Sequence, residues 1–138
     1  MDDHKVFLRR GQELGQLASA SGNPPAGALI IYEGKVISEA HEASKTKNDI
    51  TCHAEIEALR LAVRHLDSND LSACVLYTNY EPCVMCAYAI RYYKVSKVVF
   101  QHSVLFFGST SSPSGLLTTT SVPHHWAQPP EIIHVPEV

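Results

Sequence analysis

Residues 73–101 read ACVLYTNYEPCVMCAYAIRYYKVSKVVFQ, and the order of patterns within them decides the fold. Ala73 to Thr78 is a short apolar run of the kind that makes a buried strand. A helix is expected from Pro82 to about Tyr93, with Pro82 in its first turn, where the N–H that proline lacks would have no partner anyway. Lys97 to Gln101 is a second strand. Strand, helix and strand in that order describe a right-handed parallel crossover.

Upstream, Gly27 to Tyr32 and Lys35 to Ser38 are two β-type runs around Glu33-Gly34, the pattern of an antiparallel hairpin. A polar loop ending near Asp49 leads into a helix expected to begin at Thr51 or Cys52. Its buried face would carry Ile56, Leu59, Val63 and Leu66. At the start of the chain, Asp3 to about Ser19 places Val6, Phe7, Leu14, Leu17 and Ala18 near one helical stripe, and Ser21-Gly22-Asn23-Pro24-Pro25 breaks it. Downstream, 109–130 is rich in Ser, Thr and Pro and receives no element, while Glu131 to Val135 is a candidate edge strand. The expectation is an α/β fold, a mixed sheet with helices on both faces in a three-layer α/β/α sandwich.

The 138 residues fall in the single-domain range, so one domain is expected over 1–138. Residues 1–24 would form an N-terminal helix, and 109–138 an irregular C-terminal segment that is a candidate lid. Hydrophobic residues make up 45% of the chain and charged ones 18%, enough apolar material for a core without disulfide staples. The net charge is −3 and the basic residues are scattered, which weighs against a nucleic-acid partner without excluding one. No stretch approaches the roughly 20 apolar residues that span a bilayer. The opening Met1-Asp2-Asp3-His4 is no basic leader, so a cytoplasmic protein without a membrane partner is expected. In that setting Cys52, Cys74, Cys83 and Cys86 read as metal or catalytic groups rather than disulfides.

Two pieces carry chemistry: His53-Ala54-Glu55 and Pro82-Cys83-Val84-Met85-Cys86, each opening an expected helix. Cys83 and Cys86, at i and i+3, share a helix face. His53 and Glu55, two apart, would diverge along a helix body but can converge at its first turn. Two thiolates and one imidazole make three ligands for zinc, leaving the fourth tetrahedral position that a catalytic zinc keeps for water. Glu55, a carboxylate that is not a ligand, is then the natural proton carrier. An isolated C-x-x-C also fits a redox pair or half of a structural zinc site. A structural site needs a fourth ligand, for which Cys52, adjacent to His53, and Cys74, inside a strand, are poorly placed.

The pairing of H-x-E with P-C-x-x-C resembles the signature of zinc deaminases. Between Gly27 and Gln101 the chain is similar to the cytidine deaminase-like superfamily, in the branch of guanine deaminases and tRNA adenosine deaminases. The likeness rests on His53-Ala54-Glu55, Glu81 to Cys86, Leu76-Tyr77-Thr78 and Val98-Val99-Phe100. The resemblance implies a five-stranded mixed sheet, a homodimer, and zinc held by His53, Cys83 and Cys86 with Glu55 moving protons in a hydrolytic deamination. It also adds Ala54 to the residues expected near the substrate. The branch usually carries an Asn eleven positions before the zinc His, where this chain has Glu42, an acceptor-only carboxylate when ionised. Either Glu42 meets a donor-bearing substrate edge such as that of guanine or a ribose, or the correspondence with the family's Asn is an alignment slip, or Glu42 is a loop residue at the surface. Phe106, Phe107 and Trp126 lie where the family often places a lid or base-stacking side chain, although core packing is the commoner fate of aromatics. His124-His125 raises the idea of a second metal. The expected function is zinc-dependent deamination of a free purine-type base or nucleoside, guanine-like first. The alternatives are a tRNA adenosine deaminase, a cytosine-type pyrimidine deaminase and a non-catalytic deaminase-like scaffold.

Overall fold

Period-two alternation in the central strands decides which helices each face of the sheet receives. In the computed structural model, which describes residues 3–110 and 115–138, the strands are β1 (Gly27–Tyr32), β2 (Lys35–His41), β3 (Cys74–Tyr80), β4 (Lys97–His102) and β5 (Glu131–His134). They form one sheet in the order β2-β1-β3-β4-β5. β1 runs antiparallel to β2 and β3, while β3, β4 and β5 are mutually parallel. The register aligns Ile30, Leu76, Val98 and Ile132 in one row across four strands, and Leu29, Tyr77, Val99 and Ile133 in the next. Successive rows point to opposite faces, so each builds its own core.

The first row packs against α2 (Ala54–Leu66) and α3 (Val84–Tyr92), through Ala58, Leu59, Ala62, Ala87 and Ile90. The second packs against Leu8 and Leu14 of α1 (Asp3–Ala20). The mixed five-stranded sheet with helices on both faces is therefore the architecture expected from the pattern, and β3-α3-β4 is the expected parallel crossover. The β1–β2 turn has Glu33 at φ 50° and Gly34 at φ 77°, two successive left-handed residues as a type I′ hairpin requires.

Several details differ from the sequence expectation. In α1 the buried residues are Leu8, Gly11, Leu14, Gly15 and Ala18, while Val6 and Leu17 are exposed. Close approach to the sheet selects small residues there, and side-chain size outweighs hydrophobicity. In α2 the buried face runs through Ala54, Glu55, Ala58, Leu59 and Ala62, leaving Ile56, Val63 and Leu66 half-buried at its edge. Pro82 is outside α3 rather than in its first turn, because Cys83 is the N-cap residue. Among the described residues of 109–130 there is no helix or strand, and 111–114 of the candidate lid lie outside the described residues.

The topology brings the starts of β1, α2 and α3 to one end of the sheet, where β2, β3 and β4 finish. Ala28 pairs with Ala40 and with Thr78, and the Glu42 amide donates to the Ala26 carbonyl at 2.9 Å. A crevice beyond the carboxyl ends of parallel strands is the usual place for a ligand in such a sheet.

The close seating of α1 is testable. A Cβ added at Gly27 would collide with the Gly11 carbonyl and the Leu14 side chain. Gly27→Ala is expected to cost about 1–3 kcal/mol of stability through overpacking, read as a lower urea midpoint. An unchanged midpoint would contradict this packing.

Candidate active site

Two helix starts meet at the crevice. His53 is the N-cap residue of α2 and Cys83 that of α3, both in extended conformation, and neither side chain caps its own helix. Their donor atoms are left free to turn toward each other. Cys86, one turn into α3, is buried beneath them. His53 Nδ1 lies 3.6 Å from the Sγ of Cys83 and 3.6 Å from that of Cys86. The three donor atoms all fall within 4.8 Å of one another. Tetrahedral zinc, with Zn–S of about 2.3 Å and Zn–N of about 2.0–2.1 Å, separates N and S ligands by about 3.6 Å. The trio fits that ion, and three ligands leave one position open. Among the described residues no other trio of His, Cys, Asp or Glu converges in this way.

The electrostatics favour a cation. A hydrogen bond from the Cys86 thiol, with the His53 imidazole adding to it, holds the Cys83 thiol down to about 4. Its neighbour Cys86 is pushed well above the usual thiol range by sharing that hydrogen bond and by burial. The pair thus gives up one proton readily and holds the second. His53 is raised to about 9, chiefly by its hydrogen bond to the Cys83 sulfur. The positive ends of α2 and α3 act in the same direction on the sulfurs. Glu55, in the first turn of α2, is only 5% exposed, and burial pushes its carboxyl up to about 7.

Beside the trio opens a cavity of about 290 Å³, whose lining includes His53, Glu55, Cys83, Glu42, Tyr80 and Phe106. Glu42 is only 4% exposed, and its Oε2 is buried without a hydrogen-bond partner. The surface-loop alternative for this residue does not hold, because its side chain is buried. A larger groove of about 660 Å³ between β2 and α2 contains none of the metal-ligating trio. Its charges are largely paired, Lys47 and Arg60 both meeting Glu57.

The structure does not gather every residue singled out from the sequence. Ala54 is fully buried in the core shared by α2 and the sheet, between His53 and Glu55, which line the cavity. Trp126 packs edge-on against Tyr88 at 5.2 Å and beneath the Arg91 guanidinium, at a separate small cavity. Arg91 explains that placement: almost fully buried, it donates to the carbonyls of Leu116 at 2.9 Å and Thr119 at 3.0 Å, drawing the C-terminal segment onto α3. Phe107 is exposed and does not line the cavity. His124 and His125 are exposed and join no metal-ligating trio. Cys52 and Cys74 are buried free thiols outside the trio. Sequence reasoning missed Glu81, a cavity-lining carboxylate that is buried. It stands in the family-like run Glu81 to Cys86, to which the resemblance assigned no role at this position, and it is a charged residue between a buried strand and a helix start.

Residues 1–102 match the model of the cytidine and deoxycytidylate deaminase zinc-binding region. The chain is 35% identical over 120 residues to a tRNA-specific adenosine deaminase of Aquifex aeolicus, covering 87% of this chain and 80% of that protein. It is 40% identical over 99 residues to a guanine deaminase of Bacillus subtilis, covering 71% of this chain but only 63% of that protein. A structure determined in a study of A-to-I editing by tRNA:A34 deaminases at the wobble position of transfer RNA superposes with a TM-score of 0.85. It is 26% identical, over 96% of this chain and 99% of that one.

Purified protein is expected to carry about one zinc per chain. Cys83→Ser and Cys86→Ser should lose the metal together with much of the thermal stability. Metal analysis of wild type finding no zinc, with chelator leaving stability unchanged, would refute the assignment of the trio.

Proposed function

The chain belongs to the cytidine and deoxycytidylate deaminase zinc-binding family, and on that premise we propose that it hydrolytically deaminates a purine-type base, guanine-like ahead of adenosine in tRNA. His53, Cys83 and Cys86 are the residues that would hold zinc. When bound there, zinc supplies an activated water beside the carbon that carries the amine. Glu55 is the catalytic carboxylate: it takes a proton from the attacking water and delivers it to a ring nitrogen. It then carries the proton of the hydroxyl newly added to that carbon to the amine; the C–N bond breaks, the carbonyl forms and ammonia leaves. Its burial suits both halves of this cycle, since a carboxyl raised toward neutrality both accepts and donates near physiological pH.

The observation that carries the substrate preference is the buried Oε2 of Glu42, which has no protein donor. Leaving such an oxygen unsatisfied costs about 1–3 kcal/mol, more if it is charged. A substrate N–H facing it would remove that cost. Guanine carries a ring N–H beside the amine-bearing carbon, whereas the ring nitrogens of adenosine are all acceptors or substituted. A site built to receive donors rejects analogues that lack them. The reading as a tRNA adenosine deaminase draws its support from the likeness over nearly the whole chain to the structure from the tRNA:A34 study.

Two further features accompany the main reading. A homodimer is supported by Val84, Tyr88 and Tyr92, half exposed at four-residue spacing along one face of α3. A cytoplasmic setting is supported by four free cysteines. No helix of the described residues is long and apolar enough to cross a membrane.

An ammonia-release screen separates the readings: guanine and guanosine should be substrates, and adenosine, cytosine and an anticodon stem-loop RNA poor ones. Efficient turnover of the stem-loop with every free purine ignored would overturn the small-molecule reading. Glu42→Ala should lower kcat/KM for the true substrate about 10-fold, or roughly 1.4 kcal/mol, with zinc content unchanged.

The proton carrier is tested separately. Glu55→Ala should retain zinc and fold while turnover falls by about 10²–10⁴-fold. Near-normal turnover in that variant removes Glu55 from the chemistry.

A further inference from the structure

Between β4 and the C-terminal segment, residues 103–110 form a loop whose tip, Leu105-Phe106-Phe107, is the most exposed run of large apolar side chains among the described residues. These side chains are 88%, 75% and 76% exposed. Phe107 is in the left-handed region at φ 60°, an unfavourable conformation for an aromatic residue. Such a tip would ordinarily collapse or wander. Here both of its stems are tied to one side chain, Glu81, which is 4% exposed at the end of β3.

Glu81 Oε1 accepts a hydrogen bond from the Val104 amide at 3.1 Å, on the incoming stem. Oε2 accepts from the Thr110 amide at 3.0 Å and the Thr110 hydroxyl at 2.8 Å, on the outgoing stem. Hydrogen bonds to an ionised carboxylate are about twice as strong as neutral ones. The seat is shaped for that group: a Cβ at Gly108 would lie 2.5 Å from Oε2 and 2.8 Å from Cδ, so glycine is needed to let the carboxylate in. The outgoing stem is also fastened beside a metal-ligating residue, since the Ser109 amide and hydroxyl both donate to the Pro82 carbonyl and Gly108 bridges Cys83. Val104 and Phe106 from this loop line the cavity that contains Glu42 and Glu55.

We propose that Glu81 is a positioning residue for substrate binding: its carboxylate clamps both stems of the 103–110 loop and so holds Phe106 as a wall against the substrate ring. The inference rests on the reading of this cavity as the site for a base. Two carboxylates of the cavity then have distinct tasks, Glu42 facing the ring and Glu81 setting the wall that covers it. Glu81 touches no reacting atom, so its effect falls mainly on binding. It also acts only through Phe106, which makes the two residues energetically coupled.

Glu81→Gln keeps the shape but turns one acceptor into a donor facing the stem amides. In the full-length, zinc-loaded protein it is expected to raise amide hydrogen exchange at Val104 and Thr110 at least tenfold while zinc stays at one per chain. For the substrate found in the screen, KM should rise about tenfold and kcat fall less than threefold. In a Phe106→Ala background the same substitution should change KM less than twofold. Thr110→Val, which removes one hydrogen bond on the far stem, should shift KM in the same direction by a smaller factor. The proposal is overturned if Glu81→Gln leaves both amides protected, if it loses the zinc, or if its effect on KM is undiminished without Phe106. If wild type releases ammonia from no base, the reading of the cavity fails, and exchange at the two stem amides alone decides for or against the clamp.

Discussion

One requirement organises this molecule: two helices must begin within a few ångströms of each other so that three soft ligands can meet. An imidazole 3.6 Å from two sulfurs is an arrangement that only a cation or a shared proton makes favourable. Neither helix could supply it alone, because Cys83 and Cys86 are 30 and 33 residues from His53 in the chain. The parallel crossover β3-α3-β4 puts the start of α3 at the end of the sheet, and the core beneath α2 brings its start to the same place. The rows Ile30–Leu76–Val98 and Ala54–Ala58–Ala62 therefore act on function as well as stability, since they set the separation between the two helix starts.

The same constraint explains why carboxylates gather at this end of the fold. The ends of β2 and β3 and the first turn of α2 deliver Glu42, Glu81 and Glu55, all buried, into one small region. Buried carboxylates are tolerated when something answers them. Glu81 is answered by the loop stems, and Glu55 by its proton, with burial raising its carboxyl toward neutrality. Glu42 keeps a fully buried oxygen, Oε2, with no protein donor.

On the opposite side of α3 the chain uses a cation in the same structural way. Arg91 is almost fully buried and forms no ion pair among the described residues, and its guanidinium meets main-chain carbonyls of the irregular segment and the face of Trp126. A stretch without helix or strand thereby gains a fixed path over the helix that carries Cys86. This arrangement also takes Trp126 away from the cavity beside the metal-ligating trio.

The chain's own patterns were enough for the crossover, the hairpin and the edge strand, and for His53-Ala54-Glu55 and Cys83-x-x-Cys86 as separate motifs. These signals are local: period-two alternation, a turn dipeptide, and ligand types at fixed short spacing. That His53 meets the two cysteines was implied by a family resemblance and is seen in the fold. Tertiary structure decided everything that depends on distance between elements. It chose the glycine and alanine face of α1 over Val6 and Leu17, because the helix lies close enough to the sheet that size outweighs hydrophobicity. It moved Pro82 out of α3, made Glu42 an inward-facing orphan rather than a loop residue, and separated Phe106 from Trp126. It gave Glu81 two loop stems to hold. None of these has a sequence period, because each is set by which backbone arrives opposite a side chain, and that is known only once the sheet has closed its order.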